Sequence, residues 1–232
     1  MSVDTFAPDR AADAAPSHGG VLDRFAHPLV RLGKRSVDLL GALTIGVLAA
    51  PVIPAVVLAI KLDSRGPVLF RQTRVGRALP DRTELFEMVK FRSMTVDAET
   101  KSGAVWAAKA DPRVTRVGRF LRKTRLDELP QLINVIRGEM SLIGPRPERP
   151  SFCGRLEREI PFYLERTWGV RPGITGLAQV YQGYDQTLDD VRSKILYDFR
   201  YALALRDPAS WLKMEATVVF RTIAVMAFGR GR

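Results

Sequence analysis

The chain is organised around the stretch Thr124-Arg125-Leu126-Asp127-Glu128-Leu129-Pro130-Gln131-Leu132. Its two adjacent carboxylates stand between a basic run and an apolar pattern with the three- and four-residue steps of a helix. The spacing Thr124-x-x-Asp127 predicts a helix start that is capped by Thr124. Asp127 and Glu128 would then lie in the first turn, where the helix dipole lowers carboxylate pKa values. Taken alone, the stretch favours an ordinary capped helix whose acids pair with neighbouring arginines, since capping boxes are common.

The overall charge indicates an anionic partner. The 232 residues contain 36 Lys and Arg against 25 Asp and Glu, a net charge of +11. Nucleic acid, anionic lipid and phosphorylated substrates all suit such a surface, and charge alone does not choose among them. The single Cys153 excludes a disulfide within the chain. With only two histidines, both near the N-terminus, a histidine-based zinc site is not expected.

A long apolar segment, Leu39–Ile60, contains 22 residues without a charge. As one straight helix it would reach about 33 Å, enough to cross the bilayer core. Pro51 and Pro54 lie in its middle, where proline removes a backbone donor and bends a helix. Both flanks are basic, which is typical of cytoplasmic flanks. The residues therefore predict either a hairpin that enters and leaves on one face or a kinked transmembrane helix.

The following segment predicts a short β-hairpin. Val68–Thr73 and Glu84–Phe91 are rich in β-branched and aromatic residues, and turn residues separate them. Lys90 and Arg92 flank Phe91 and would present a cationic face to phosphate, or simply form a solvated strand face.

The second half of the chain alternates predicted helices with rigid basic loops. Ser141–Pro150 contains three prolines and would hold Arg146 and Arg149 in place, where a guanidinium fork suits phosphate oxygens. A plain surface linker explains this loop equally well, and a second such loop follows at 170–176. The predicted elements are a helix starting at Asp111-Pro112-Arg113, a helix ended by Gly138, helix Phe152–Trp168, strand Leu177–Tyr181, helix Leu188–Leu205 and a helix over Trp211–Phe228 lying at a membrane surface or in the core.

Several short motifs in a fixed order carry a resemblance to a known family. The chain resembles the bacterial sugar transferases, monotopic phosphoglycosyl transferases that load polyprenyl phosphate with a sugar phosphate. The likeness runs from about Lys34 to the C-terminus, and the order and spacing of the motifs make it specific. The motifs are Lys34-Arg35-x-x-Asp38, Gly66-Pro67-Val68-Leu69-Phe70-Arg71-Gln72, Lys90-Phe91-Arg92-Ser93-Met94, Leu126–Leu132, Arg137–Pro147 and Arg171–Gly176.

The resemblance implies a chemistry. Asp127, with Glu128 beside it, corresponds to the family's nucleophile, which takes a sugar phosphate from a nucleotide diphosphate sugar and passes it to polyprenyl phosphate. The family uses Mg²⁺, which screens the repulsion between an anionic nucleophile and a diphosphate. Asp127 and Glu128 are the expected ligands of this ion. The basic positions that match the family, and would hold phosphates, are Lys90, Arg92, Arg137, Arg146 and Arg171.

The resemblance also implies an architecture. It is α+β and mostly α, with a re-entrant membrane hairpin at 23–62 and a cytoplasmic catalytic domain with interfacial amphipathic helices at 63–232. The segment 1–22 lies outside the resemblance, and its composition, rich in Ala, Asp, Pro, Ser and Gly, predicts that it is disordered. Pro51 and Pro54 would form the membrane bend; where many members have Ser-Pro, this chain has Ala50-Pro51. The expected localisation is the cytoplasmic face of the bacterial inner membrane.

The expected partners follow from the same likeness. They are a UDP-sugar donor, an undecaprenyl phosphate acceptor, inner-membrane lipids and a second copy of the chain; nucleic acid is not expected. Among UDP-sugars, the resemblance favours UDP-glucose or UDP-galactose. The reaction would initiate exopolysaccharide synthesis. Two other classes stay open at this point: a membrane-anchored, basic nucleic-acid-binding protein and an inactive scaffold of polysaccharide assembly. The charge favours the first, although no recognised binding motif occurs, and the intact Asp127-Glu128 argues against the second.

Overall fold

The structure is a computed structural model that describes residues 26–96, 98, 111–182 and 187–228. The disorder predicted for 1–22 lies outside these residues. The described part is mostly helical, with two small sheets. In chain order the elements are α1 (Pro28–Ala49), α2 (Ile53–Asp63), β1 (Leu69–Ala78), β2 (Thr83–Phe91), α3 (Arg116–Thr124), a 3-10 turn (Leu126–Glu128), α4 (Gln131–Arg137), β3 (Ser141–Ile143), α5 (Pro150–Glu159), a 3-10 turn (Leu164–Thr167), β4 (Gly173–Thr175), α6 (Leu177–Tyr181), α7 (Leu188–Ala204) and α8 (Pro208–Phe228).

The apolar segment folds as a bent pair of helices. Between 26 and 228, leaving out the undescribed positions, no single helix is long and apolar enough to cross a bilayer, but α1 and α2 together meet that test with a bend of 66°. Helix α1 ends at Ala49, just before Pro51, because proline cannot extend the hydrogen-bond ladder. Pro54 lies in the first turn of α2, where its missing N–H costs nothing. Both prolines thus lie at the bend, where the sequence put them.

One face of α1 is fastened to the rest of the protein by polar contacts. Lys34 Nζ donates to Glu215 Oε1 of α8 at 2.9 Å, and Arg35 donates to the carbonyl oxygens of Val135 and Ile136 at 2.6 and 2.8 Å. Asp38, 1% exposed, accepts bonds from the Ser141 hydroxyl and the Leu142 amide of β3 at 2.8 and 2.9 Å. The Lys34-Arg35-x-x-Asp38 motif therefore joins α1 to three separate elements.

The predicted β-hairpin is confirmed, with a longer first strand than expected. Strands β1 and β2 are antiparallel, and residues 70, 72 and 74 are paired with 90, 88 and 86. Because directly paired residues share a face of a sheet, these six side chains lie on one side, and five of them line the cavity described below. A second sheet, in which β3 and β4 pair in parallel, was not predicted.

Three local predictions are wrong. Thr124 ends α3 rather than capping the next helix, since its hydroxyl donates back to the Phe120 carbonyl. The helix expected over Phe152–Trp168 stops at Glu159, and Phe162 takes the left-handed conformation with φ of 68°. Leu177–Tyr181 is a short helix, not a strand. The prediction that Gly138 ends a helix is confirmed by its left-handed φ of 83°.

Candidate active site

The carboxylate pair, Asp127 and Glu128, lies on a tight turn between α3 and α4. Arg125 takes the left-handed conformation with φ of 61° and ends α3, after which Leu126–Glu128 forms one 3-10 turn. Helix α4 starts only at Gln131. The acids therefore precede α4 rather than lie in its first turn, which corrects the helix-dipole argument. Both residues are buried, with exposed fractions of 7% and 8%.

Glu128 is held by two cations. Its Oε1 accepts a bond from Lys90 Nζ at 3.1 Å and lies 3.4 Å from both terminal nitrogens of Arg146. Burial acts to raise the pKa of Glu128, but the charges of Lys90, Arg146 and Arg125 outweigh it and hold the pKa at about 2. Burial also lowers the pKa of Lys90, although Glu128 opposes that change. Glu128 is therefore a fixed anion that orders two basic groups.

Asp127 is in a different state from its neighbour. Its Oδ1 is buried and has no hydrogen-bond partner within the described residues. Burial raises the pKa of Asp127 above its ordinary value, and the nearby charge of Lys90 only partly offsets this effect. An unpaired carboxylate oxygen in a buried place is poorly solvated and reactive. The two acids therefore differ in their contacts: Glu128 is paired with Lys90 and Arg146, whereas one oxygen of Asp127 has no partner among the described residues.

The pair opens into a cavity of about 390 Å³. Its floor is the face of the β-hairpin that carries Phe70, Gln72 and Arg74. Among the described residues, nine lysine and arginine side chains and three carboxylates line it, so the cavity suits a ligand with several negative charges. The charged lining residues are Arg74, Lys90, Arg92, Arg113, Arg122, Arg125, Asp127, Glu128, Arg146, Glu148, Arg149 and Lys194.

The loop that carries Arg146 is fixed from behind. Arg166 donates to the backbone carbonyl of Arg146 at 2.8 Å and forms a buried ion pair with Asp198 at 2.7 Å. Tyr163 packs under the Arg166 guanidinium, and its hydroxyl donates to Glu148 Oε2 at 3.0 Å. These contacts hold the loop backbone in place and therefore fix the position from which the Arg146 side chain extends towards Glu128.

The predicted phosphate-binding residues fall into two groups. Lys90, Arg92 and Arg146 line the cavity with the carboxylate pair. Arg137 is exposed at the end of α4, and neither Arg137 nor Arg171 lines that cavity. Burial, together with the charges of Arg77 and Arg35, lowers the pKa of Arg171. The cavity also brings in residues that the sequence did not single out as site residues, among them Arg74, Glu148 and Lys194.

The two acids fit a hard cation as part of its ligand set. In the described part of the chain no three His, Cys, Asp or Glu side chains come together as a complete metal site. Asp127 Oδ1 lacks a partner among the described residues, however, and Glu128 accepts from Lys90 and Arg146 through Oε1. Mg²⁺ characteristically takes one or two carboxylates and completes its shell with water and substrate phosphates. The arrangement therefore suits Mg²⁺ that arrives with a phosphorylated ligand.

Sequence comparisons identify relatives that match most of the chain. A protein from Aeromonas hydrophila, UDP-N-acetylgalactosamine-undecaprenyl-phosphate N-acetylgalactosaminephosphotransferase, is 46% identical over 88% of this chain and 46% of its own length. An undecaprenyl-phosphate glucose phosphotransferase from Komagataeibacter xylinus is 42% identical over 86% of this chain and 36% of its own length. The chain thus spans less than half the length of these two relatives.

A third relative is closer in size. The UDP-glucose:undecaprenyl-phosphate glucose-1-phosphate transferase of Caulobacter vibrioides is 40% identical over 93% of this chain and 79% of its own length. The profile of the family described as bacterial sugar transferase matches residues 29–229, a range that includes the bent helix pair, the carboxylate pair and α8. The chain therefore belongs to the bacterial sugar transferase family.

Proposed function

We propose that this protein is a phosphoglycosyl transferase that moves a sugar 1-phosphate from a UDP-sugar to undecaprenyl phosphate, the initiating step of a surface or exported polysaccharide. One observation carries the proposal: a buried carboxylate oxygen of Asp127 without a partner faces a cavity rich in cations. The printed names of the relatives supply the substrate class, since all three transfer a sugar phosphate to undecaprenyl phosphate.

In the first step Asp127 acts as the nucleophile. A carboxylate oxygen attacks the β-phosphorus of the UDP-sugar, and the bond from that phosphorus to the bridging oxygen breaks. UMP leaves with the bridging oxygen, and the sugar phosphate remains on Asp127 as an acyl phosphate. The charges of Lys90 and Arg146 offset the negative charge on the phosphoryl oxygens. Glu128 keeps both cations in place through its bonds at 3.1 and 3.4 Å.

In the second step the acceptor regenerates the enzyme. A phosphate oxygen of undecaprenyl phosphate attacks the same phosphorus, and the bond to Asp127 breaks. The products are a diphosphate-linked lipid sugar and the free carboxylate. The net charge is unchanged and no proton donor is required, since both nucleophiles are anions. Asp127 and Glu128 would hold Mg²⁺, which supplies positive charge that screens the anionic reactants.

The bent helix pair suits a one-sided membrane anchor. The 66° bend would let α1 and α2 enter and leave through the cytoplasmic face of the inner membrane, with Pro51 and Pro54 at the deepest point. Leu40, Leu43, Leu48 and Leu58 are more than half exposed, which in water would be costly and in lipid is favourable. Helix α8 would lie along the interface, since it also exposes a row of large apolar side chains: Leu212, Val219, Phe220, Ile223, Met226 and Phe228.

A panel of radiolabelled donors tests the proposal. Membrane extracts that contain the protein are incubated with UDP-glucose, UDP-galactose or UDP-N-acetylgalactosamine and undecaprenyl phosphate, and lipid-linked product is counted. We expect product with one of these donors, and UMP release with donor alone in the amount of enzyme present. The Asp127→Asn variant is the control and should give neither. Turnover like that of the wild type in this variant would remove the nucleophile from the proposal.

A further inference from the structure

Arg92 lies where the β-hairpin meets the end of α2. It follows the last residue of β2 and is 5% exposed. One of its terminal nitrogens donates to the Ser64 carbonyl at 2.6 Å and to the Ser64 hydroxyl at 2.9 Å. This nitrogen also lies 3.5 Å from the Ile60 carbonyl. Arg92 thus contacts the C-terminal end of α2, where the chain leaves the bent helix pair and continues towards the β-hairpin.

The remaining donors of Arg92 have no partner. Its Nε and Nη1 are buried and make no hydrogen bond among the described residues, although the side chain lines the cavity. Other buried cations there are paired, as Lys90 is with Glu128 and Arg113 with Asp111. Arg92 has no ion pair within the described residues. A buried guanidinium with unused donors is costly unless an anion binds it, and phosphate oxygens are acceptors that a guanidinium N–H binds well.

The cavity next to Arg92 has an apolar edge. Leu69, Phe70 and Val96 line it and are 37%, 40% and 60% exposed; we name these three the apolar lip. Leu69 and Phe70 begin β1, a few residues after the end of α2, so the lip lies beside the part of the protein that would meet the membrane surface. A ligand with a phosphate and an attached hydrocarbon chain would place the two parts on Arg92 and the lip.

We propose that Arg92 and the apolar lip form the acceptor subsite, which binds a phosphate monoester on a long isoprenoid chain. The donor diphosphate would then bind Lys90 and Arg146, both of which contact Glu128 Oε1. The assignment rests on the proposed function, because it divides one cavity between the two substrates. It gives Arg92 a role in the second step of the reaction and a lesser one in the first.

Separating the two half-reactions tests this assignment. UMP release from donor alone is measured in a single turnover, and transfer is then titrated with farnesyl phosphate in detergent. For Arg92→Lys and Arg92→Gln we expect the apparent KM for farnesyl phosphate to rise at least tenfold more than the donor-only rate falls. Phe70→Ser should raise the KM for farnesyl phosphate but leave inhibition by inorganic phosphate unchanged. The exposed Arg71 on the other face of β1 is the matched control, and Arg71→Gln should behave like the wild type.

Ser64→Ala distinguishes binding from support of α2. It removes the hydroxyl that accepts from Arg92 but leaves the guanidinium and its bond to the Ser64 carbonyl. If Arg92 only supports α2, acceptor binding should fall in Ser64→Ala together with stability; if Arg92 binds the acceptor, acceptor binding should stay close to that of the wild type. Equal losses in Ser64→Ala and Arg92→Lys, or equal effects of Arg92→Lys on both half-reactions, would overturn the assignment. If Arg92→Gln does not fold, the Arg92→Lys and Phe70→Ser variants still test the assignment. Inorganic phosphate binding as tightly as farnesyl phosphate would point to a free-anion site instead. Failure of wild-type protein to release UMP from donor alone would count against the proposed function itself.

Discussion

Arg166 donates to Asp198 Oδ2 at 2.7 Å, and both side chains are 2% exposed. The second terminal nitrogen of Arg166 donates to the carbonyl of Arg146 at 2.8 Å. The ion pair therefore fixes the loop whose side chain reaches Glu128, although neither Arg166 nor Asp198 lines the cavity. We regard both as positioning residues.

Replacing Arg166 should impair donor binding through Arg146. Lysine keeps the charge but lacks the fork that reaches Asp198 and the carbonyl together, so Arg166→Lys should lower kcat/KM for the donor about tenfold, or about 1.4 kcal/mol. Steady-state kinetics with Arg166→Lys, Arg146→Lys and the double variant check this. The double variant should be no worse than Arg146→Lys alone. Additive losses would show that Arg166 acts independently of Arg146.

Asp127→Asn should abolish turnover and stabilise the fold. The raised pKa of Asp127 means that the native state holds the proton more tightly than the unfolded chain. The carboxyl of Asp127 therefore destabilises the native state little below its unfolded pKa of about 3.9, where it is protonated in both states. The destabilisation is largest above its folded pKa, where it is ionised in both states. We expect Asn to raise the free energy of unfolding by about 1 kcal/mol at pH 7, with a smaller gain at pH 4.5. Denaturant unfolding at both values measures it; a loss of stability at pH 7 would contradict the burial argument.

Glu128→Gln should have the opposite effect on stability. With a folded pKa of about 2 and an unfolded value of about 4.3, the ionised carboxylate stabilises the native state fully above about pH 5, and this contribution is lost as the pH falls towards 2. The change also leaves Lys90 and Arg146 without their counter-charge. We expect a loss of about 3 kcal/mol at pH 7. Urea unfolding should show a smaller difference in the free energy of unfolding between wild type and Glu128→Gln at pH 3.5 than at pH 7. An equal difference at both pH values would indicate lost packing instead.

Asp38→Ala should loosen β3 from α1. The substitution leaves the Leu142 amide and the Ser141 hydroxyl without the acceptor they share, which typically costs about 1–3 kcal/mol for buried groups. Asp38→Asn keeps one carbonyl oxygen and should cost less. Hydrogen exchange of the Leu142 amide is the direct measurement. Unchanged protection in Asp38→Ala would mean that another group holds β3.

Gly144→Ala and Gly154→Ala should change stability in opposite directions. A Cβ on Gly144 would collide with the backbone carbonyl of Arg171 in the loop before β4, while a Cβ on Gly154 meets nothing within 4 Å. Gly154 lies inside α5, where alanine is favoured over glycine by about 1 kcal/mol. Thermal unfolding should therefore show a lower Tm for Gly144→Ala and a higher Tm for Gly154→Ala. A neutral Gly144→Ala would show that the two loops can separate.

The sequence predicted those elements whose signals are local. Enrichment in β-branched and aromatic residues between turn residues predicted the β-hairpin, the two prolines predicted the break between α1 and α2, and Gly138 predicted the end of α4. The Thr124 cap failed because Arg125 takes a left-handed conformation, which no capping pattern reveals. The strands β3 and β4 have three residues each, too few for alternation to show.

The site was predictable where its residues adjoin one another and not where the fold brings them together. Asp127 and Glu128 stand out as neighbours. Arg137 and Arg171 are basic residues in recognisable motifs, but a motif does not say which face it presents, and the structure places them outside the cavity. The pair of Arg166 and Asp198 joins residues 32 positions apart, and no pattern in the chain links them.

Glu215 accepts Lys34 of α1 at 2.9 Å and lies 2.7 Å from the hydroxyl of Tyr201 on α7, which is itself 2.9 Å from the Ile143 carbonyl. Helices α1 and α8 are therefore not interchangeable parts. A chimera with α1 and α2 from another member of the family would also need the matching α8. Otherwise the lysine of α1 would be buried without its ion-pair partner. Any engineering of α1 and α2 thus has to treat these helices and α8 as a single inherited unit.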